Sequence, residues 1–200
     1  KPFSLKGFEF QRQLLDDMHP NLSIIKPSQV GASELSYRKF LCFLKRTPNT
    51  TGIYSMPTDD MARKMSQTRI RPLVDEQPIF NQHDPSKKPV RSINLYQIDN
   101  SWLHAIGGKE ADATSISADC LFNDEIDLTD PEILALYASR LQGSNLRIRQ
   151  SFSTPTHSGY GIDAQFQVSD QHEYMCKCTH CGHYNLPEFT PPFIDIPGLP

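Results

Sequence analysis

The sequence predicts an α/β fold, a mostly parallel sheet flanked by helices, on three observations. Short apolar runs of strand type alternate with helical patterns through most of the chain. The first full strand–helix pair is joined by a glycine-bearing turn, the context of a phosphate-binding loop. A later strand ends in two adjacent carboxylates, Asp124 and Glu125. The 200 residues suit one domain plus a small appendage. The expected division is a phosphate-loop domain over 1–170 and a zinc-knuckle-like hairpin with a proline-rich tail over 171–200.

Each element has a local reason. "FEFQRQLLDDM", 8–18, has helical spacing with Phe10, Leu14 and Leu15 on one side. "NLSII", 21–25, is a strand, and "SELSYRKFLCFLKR", 33–46, is a helix closing on Lys45 and Arg46. "TGIYSMP", 51–57, is a strand, and 58–74 is a helix capped by Thr58 or Asp59, with Pro72 near its end. Residues 81–91 form a polar loop; 92–98 and 101–107 make a hairpin turning at Asp99-Asn100. "ADCLFN", 118–123, is a strand, and 130–142 is a helix with Asp130 as cap and Pro131 at its first position. A strand over 145–153 follows, and the tail after residue 186 is extended.

Composition narrows the class. Hydrophobic residues at 38% and charged residues at 22% are ordinary for a soluble fold with its own core. No run approaches the ~20 apolar residues of a membrane span. The N-terminus has no apolar secretory core and no initiator Met, as expected of a fragment. A net charge of −3 offers nucleic acid no global attraction, so DNA contact must use local clusters. The candidates are Arg63, Lys64, Arg69 and Arg71, then Lys87, Lys88 and Arg91, then Arg147 and Arg149; taken singly, each reads better as a solvated face. Of five cysteines, Cys42 and Cys120 read as buried small residues, and three crowd into 176–181, which points to a reducing compartment.

"IIKPSQVGAS", 24–33, is a phosphate loop with its lysine displaced. Gly31 and Ser33 fit the G-x-x-x-x-G-K-[ST] frame, but Ala32 occupies the lysine slot and Lys26 the first-glycine slot. Backbone N–H groups at a helix start, and the helix dipole, attract an anion there. Gly31 lets the backbone approach phosphates, Ser33 offers a hydroxyl to Mg²⁺, and Lys26 has a stem long enough to reach the same oxygens. The plain alternative is a strand–turn–helix with no ligand. In "DCLFNDEID", 119–127, Asp124 suits Mg²⁺ and Glu125 suits a general base; Asn123 is a polar intrusion. About ninety residues separate loop and acids, room for two intervening strands if the acid strand lies beside the loop strand. "SFSTPT", 151–156, puts small hydroxyls where a neighbouring strand could sense the γ-phosphate.

The stretches "EFQRQLLDD", "KPSQVGAS", "YSMPTDDMARK", "LFNDEID", "FSTPT" and "YMCKCTHCGH" together resemble the large terminase subunits of tailed phages, closest to the lambda-like, GpA-type branch. They occur in the family's order and span most of residues 8–185. The resemblance implies a phosphate-loop NTPase fold of the ASCE type and an ATPase motor that drives double-stranded DNA into a procapsid in the host cytoplasm. It implies that Lys26, with the loop Pro27, Ser28, Gln29, Val30, Gly31, Ala32 and Ser33, contacts the phosphates of ATP. Ser33 and Asp124 would bind Mg²⁺, Glu125 would be the base, Ser153 and Thr154 would couple, and Gln11 would lie near the adenine. Partners would be DNA, the small terminase subunit, the portal and procapsid, and further copies of the chain, with no membrane. A loop arginine used by some relatives is replaced by Ser28 or Gln29, so the transition-state cation must come from Arg140 or a neighbouring subunit. Relatives carry a nuclease domain after the ATPase; the tail here implies an ATPase fragment that does not cut DNA by itself.

In "CKCTHCGH", 176–183, Cys178-x-x-Cys181 is a zinc half-site. Cys176 and His183 could complete it, or ligands could come from beyond residue 200 or from His157, His172 and His180. Two rivals stand beside the motor reading. One is a helicase-like ATPase, disfavoured by the displaced lysine. The other is a non-catalytic, zinc-stabilised scaffold with a decayed loop, opposed by the intact Asp124-Glu125 pair.

Overall fold

The computed structural model describes residues 3–81, 89–109, 114 and 116–186. Six strands form one sheet: β1 (Asn21–Ile25), β2 (Thr51–Met56), β3 (Leu95–Ile98), β4 (Ser101–Gly107), β5 (Cys120–Asp124) and β6 (Ile148–Ser153). Their order is β1-β6-β5-β2-β4-β3. All neighbours pair in parallel except β3, which returns antiparallel to β4 through Asp99-Asn100. The fold class read from the sequence holds, but one detail of topology does not. The acid strand β5 is not beside the loop strand β1; β6 lies between them.

Burial on both sheet faces explains the near-continuous apolar strands. On one face Tyr54, Cys120, Phe122 and Phe152 pack with Tyr37, Phe40, Leu41 and Leu44 of α2 (Ala32–Arg46). On the other, Ile53 and Leu121 pack with Tyr137 and Leu141, in and just past α6 (Pro131–Ser139). Successive residues of β2 and β5 thus serve opposite faces, as the strand period of two requires.

Helix boundaries moved where chain chemistry competes with periodicity. α1 covers only Gln11–Asp16, because Asp17 turns extended and Lys39 takes the carbonyls of Leu14 and Asp17. The helix expected over 58–74 is α3 (Asp59–Met65), a π turn over Ser66–Ile70, and α4 (Arg71–Glu76). Thr58 caps it, its hydroxyl accepting from the Met61 amide. Pro72 cannot donate to the carbonyl four residues back and would crowd it; the wider π turn just before it relieves that clash. A short α5 (Pro78–Asn81) follows. Asp130 caps α6, accepting from the Glu132 amide. α7 (Gly161–Gln167) was not anticipated, and β3 and β6 begin three residues later than the spacing suggested.

The chain divides into two units, Lys1–Ser169 and Asp170–Pro200. The second holds an antiparallel hairpin of β7 (Cys176–Lys177) and β8 (Tyr184–Asn185). Lys87, Lys88 and the proline-rich tail lie outside the described residues. Among the described residues no helix is long and apolar enough to cross a membrane.

Candidate functional site

The parallel strands β1, β6 and β5 end at the same sheet edge, so the turns after them are neighbours. Ligands of open α/β sheets bind at this edge. The end of β6 joins the other two: Ser153 O accepts from the Lys26 amide at 2.9 Å, and Phe152 O from the Glu125 amide at 2.7 Å.

Lys26 is buried, and its ammonium donates to Asp124 Oδ1 at 2.8 Å, Glu125 Oε1 at 2.6 Å and Ser33 Oγ at 3.0 Å. Reaching Asp124 from β1 means crossing β6, two strand spacings or about 9–10 Å. A lysine stem covers that from the upstream edge of the turn. Burial opposes the charge on Lys26, but the Asp124 and Glu125 carboxylates outweigh it and raise its pKa above the ordinary lysine value.

Asp124 is fixed from its other side. Tyr54 Oη donates to Asp124 Oδ2 at 3.0 Å and lies 2.6 Å from Ser36 Oγ. Ser36 Oγ also donates to Ser33 O at 2.9 Å. Burial, and then the Asp124 charge, push the Tyr54 pKa well above its ordinary value, so the phenol keeps its proton and remains a donor. Sequence reasoning passed over Tyr54 and Ser36. The only trace was a hydroxyl in each of two apolar elements. Asn123, the polar intrusion, accepts from Ser55 Oγ at 2.6 Å and reads as cross-strand pairing.

Glu125 sits in the left-handed region, φ 57° and ψ 53°. Non-glycine residues hold that conformation only when their surroundings enforce it, most often at functional sites. Its Oε2 accepts from the Thr154 amide at 3.4 Å. Ser153 is fully buried; its hydroxyl donates to Thr154 O and accepts from the Asp127 amide.

The turn itself is open. Pro27, Ser28, Gln29 and Gly31 are exposed, Val30 is half-buried and Ala32 is buried at the helix start. Gln29 (φ 66°) and Gly31 (φ 75°) both take left-handed backbone. Gly31 is favoured by its φ, and a Cβ there would press on Gln11 Nε2 at 3.3 Å. Gln11, also buried, donates that amide to Val30 O and braces the loop. A cavity of about 380 Å³ opens beside it, lined by Phe3, Phe8, Gln11, Gly31, Glu34 and Arg38. The Arg38 guanidinium lies over the Phe3 ring, 4.9 Å from its centroid.

Arg140, an expected site residue, stays apart from this cluster. Arg140 ends α6, its side chain bonded to Thr114 O and Ser139 Oγ and its carbonyl to the Ala118 amide. Ala118 precedes the start of β5, so Arg140 lies at the end of that strand opposite Asp124. Cys176, Cys178, Cys181 and His183 do not assemble into a metal cluster: no group of three or more His, Cys, Asp or Glu could hold an ion among the described residues. The hairpin turn brings the Cys178 and Cys181 thiols together. The Cys181 and His180 backbone amides, with the Cys181 thiol, hold the Cys178 thiol below its ordinary range. Of the basic clusters, Arg63, Arg69, Arg71 and Arg91 each face a carboxylate, whereas Arg147 and Arg149 are held by neutral oxygens.

A family model described as "Phage terminase large subunit gpA, ATPase domain" matches residues 8–194. No curated protein matches the chain. Among solved structures, the large terminase of bacteriophage HK97 superposes with a TM-score of 0.61 at 16% identity, over 86% of this chain and 39% of that one. The ATPase domain of the Thermus phage P74-26 large terminase gives 0.59 at 15%, over 83% of this chain and 69% of that one. The large terminase of a thermophilic bacteriophage gives 0.59 at 14%, and this chain spans 43% of its length. The same terminase has been crystallised with ADP and with ATP-gamma-S.

Proposed function

From the premise that this chain belongs to the ATPase-domain family of the phage terminase large subunit gpA, we propose that it is the ATP-hydrolysing motor domain of a DNA-packaging terminase. One observation carries the reading. The Lys26 ammonium is held by Ser33, Asp124 and Glu125 together, where the loop and the acid strand meet. That is a cation seat built from the residues a nucleotide site needs.

The phosphates of ATP would lie on the exposed loop amides at the head of α2, where the helix dipole favours negative charge. Their charge draws Lys26 away from the carboxylates. The oxygens it leaves, on Asp124 and Ser33, would hold Mg²⁺. Mg²⁺ would neutralise charge on the β- and γ-phosphates. With Lys26 gone, Glu125 is free to accept a proton from water. That water's oxygen bonds to the γ-phosphorus as the bond to the bridging oxygen breaks, leaving ADP and phosphate. Until then Lys26 occupies the base. The base of ATP would occupy the cavity beside Gln11. Ser153 and Thr154 join the ends of β1 and β5 and would carry the loss of the γ-phosphate outward. Arg140 is too far from the acids, so the transition-state cation would come from a neighbouring subunit. Double-stranded DNA, the small terminase subunit, the portal and the procapsid are the partners this reading carries, in the host cytoplasm.

The test is calorimetric titration with a non-hydrolysable ATP analogue and Mg²⁺. The expected outcome is one site per chain, with a dissociation constant in the range of about 1 μM to 1 mM typical of enzymes and their substrates. Absence of binding with the chain folded would leave a scaffold with a decayed loop.

A further inference from the structure

The acid turn contains a third carboxylate that the proposed chemistry does not use. Asp127 lies two residues after Glu125 in the turn Ile126–Leu128, and only 7% of its surface is exposed. Its Oδ2 accepts from the Thr156 amide at 2.9 Å and the Thr156 hydroxyl at 3.1 Å. Its Oδ1 accepts from the Ile162 amide at 2.8 Å, in the first turn of α7. Its own amide donates to Ser153 Oγ at 3.2 Å. No lysine, arginine or histidine pairs with it among the described residues.

A buried carboxylate without a countercation is costly unless several donors replace water. Here those donors all come from one stretch of chain, residues 156–162. Gly161 makes the approach possible: its φ is 54°, and a Cβ there would meet Asp127 Oδ1 at 2.4 Å. The far side of α7 is tied as well, since Ser23 Oγ of β1 donates to Gln165 Oε1 at 2.7 Å. A closed path therefore runs from Lys26 through β1 and α7 to Asp127 and back to Glu125.

We propose that Asp127 is a positioning residue that makes the segment 154–162 and the head of α7 follow Glu125 when nucleotide changes the acid turn. The inference rests on the ATPase reading and names the element that reading would move. Glu125 touches this segment directly only through the Thr154 amide, a long contact at 3.4 Å. The shorter bonds to Asp127 make the segment and the turn one body. Shifting Glu125 then displaces α7, whereas a free loop would absorb the shift.

The test uses the full chain and the variants Asp127→Asn and Thr156→Val. Hydrogen exchange is followed over 26–33 and 154–167, with and without ATP-γ-S and Mg²⁺. In the unsubstituted chain both segments change on nucleotide addition. In Asp127→Asn, nucleotide affinity holds within about twofold and the response over 26–33 persists. The response over 154–167 is lost, and kcat falls about tenfold with KM little changed, as expected when an interaction made only on the way to the transition state is removed. Thr156→Val, which removes one of the three bonds, retains part of the response. A purely structural role would raise exchange equally with and without nucleotide. A full nucleotide response over 154–167 in Asp127→Asn overturns the proposal; if that variant does not fold, a full response in Thr156→Val does so. Failure of the unsubstituted chain to bind nucleotide would instead sink the ATPase reading.

Discussion

Two lysines are buried among the described residues, and they do opposite things. Lys26, just past the end of β1, is opposed by burial but paired with two carboxylates, which outweigh it and raise its pKa. Lys39, in the middle of α2, meets only the backbone carbonyls of Leu14 and Asp17 at the end of α1. Burial is its dominant influence, and its pKa falls to about 8 although Asp17 and Asp16 lie near enough to resist. Carbonyls at a helix C-terminus favour a cation but do not neutralise it. The difference separates a fastener from a switch. Lys39 has nothing to give up, since its acceptors belong to the fold. On the proposed reading, Lys26 holds two carboxylates where another cation would sit, and an arriving triphosphate would offer it an alternative partner.

The largest expected effect lies on the Lys26 side. Glu125→Gln keeps the shape of the seat and removes the proton acceptor. Phosphate release should drop by about 10²-fold or more while analogue binding persists. Turnover at the original rate would remove Glu125 from the chemistry. Next in size is Lys26→Ala. Affinity for the triphosphate should fall about 10- to 100-fold, the worth of one or two charge-assisted hydrogen bonds, while adenosine binding stays unchanged. Lys39→Ala should leave both within about twofold. Equal losses for triphosphate and adenosine in Lys26→Ala would erase the contrast between the two lysines.

The smallest effect is a pH dependence of opposite sign. The folded-state pKa of Lys39 is depressed from 10.5 to about 8. Between those values the unfolded chain binds a proton that the folded chain has released, so this group's contribution to stability rises with pH. Lys26 is raised, so its contribution is complete below the ordinary lysine value and is lost only as pH climbs through its higher folded one. Denaturant midpoints of the unsubstituted chain and Lys39→Met, compared at pH 7 and pH 10, isolate the first of these. The difference should move in favour of the unsubstituted chain at the higher pH. A constant difference would mean that Lys39 titrates as an exposed lysine does.

How much could be read beforehand differs between these lysines as well. Lys26 was singled out because it stood in a glycine's place in a short motif, with a strand before it and a helix after. Lys39 carried no signal: in "SYRKFLCF" it reads as a residue of an amphipathic helix, and only packing against α1 buries it. Arg140 was legible as a cation after the acids but not as one at the far end of β5. Periodicity places a residue along a helix and says nothing of which sheet edge that helix end meets. The Cys178-x-x-Cys181 turn was legible as a thiol pair; a third ligand is a tertiary matter.

The order of elements, the displaced loop lysine, the paired acids and the hairpin at Asp99-Asn100 were all determined by the sequence itself. Each follows from interactions within a few residues: apolar period, cap chemistry, turn residues. The insertion of β6 between loop and acids, the Tyr54 hydroxyl on Asp124 and the bonds from Thr156 and Ile162 to Asp127 were decided only by the tertiary structure. These contacts join residues as many as 128 apart, and Lys26 reaches one 98 away. The entropy of closing such loops grows only with the logarithm of their length, so it barely distinguishes one strand order from another. What distinguishes them is the packing of both sheet faces at once, which no local stretch encodes.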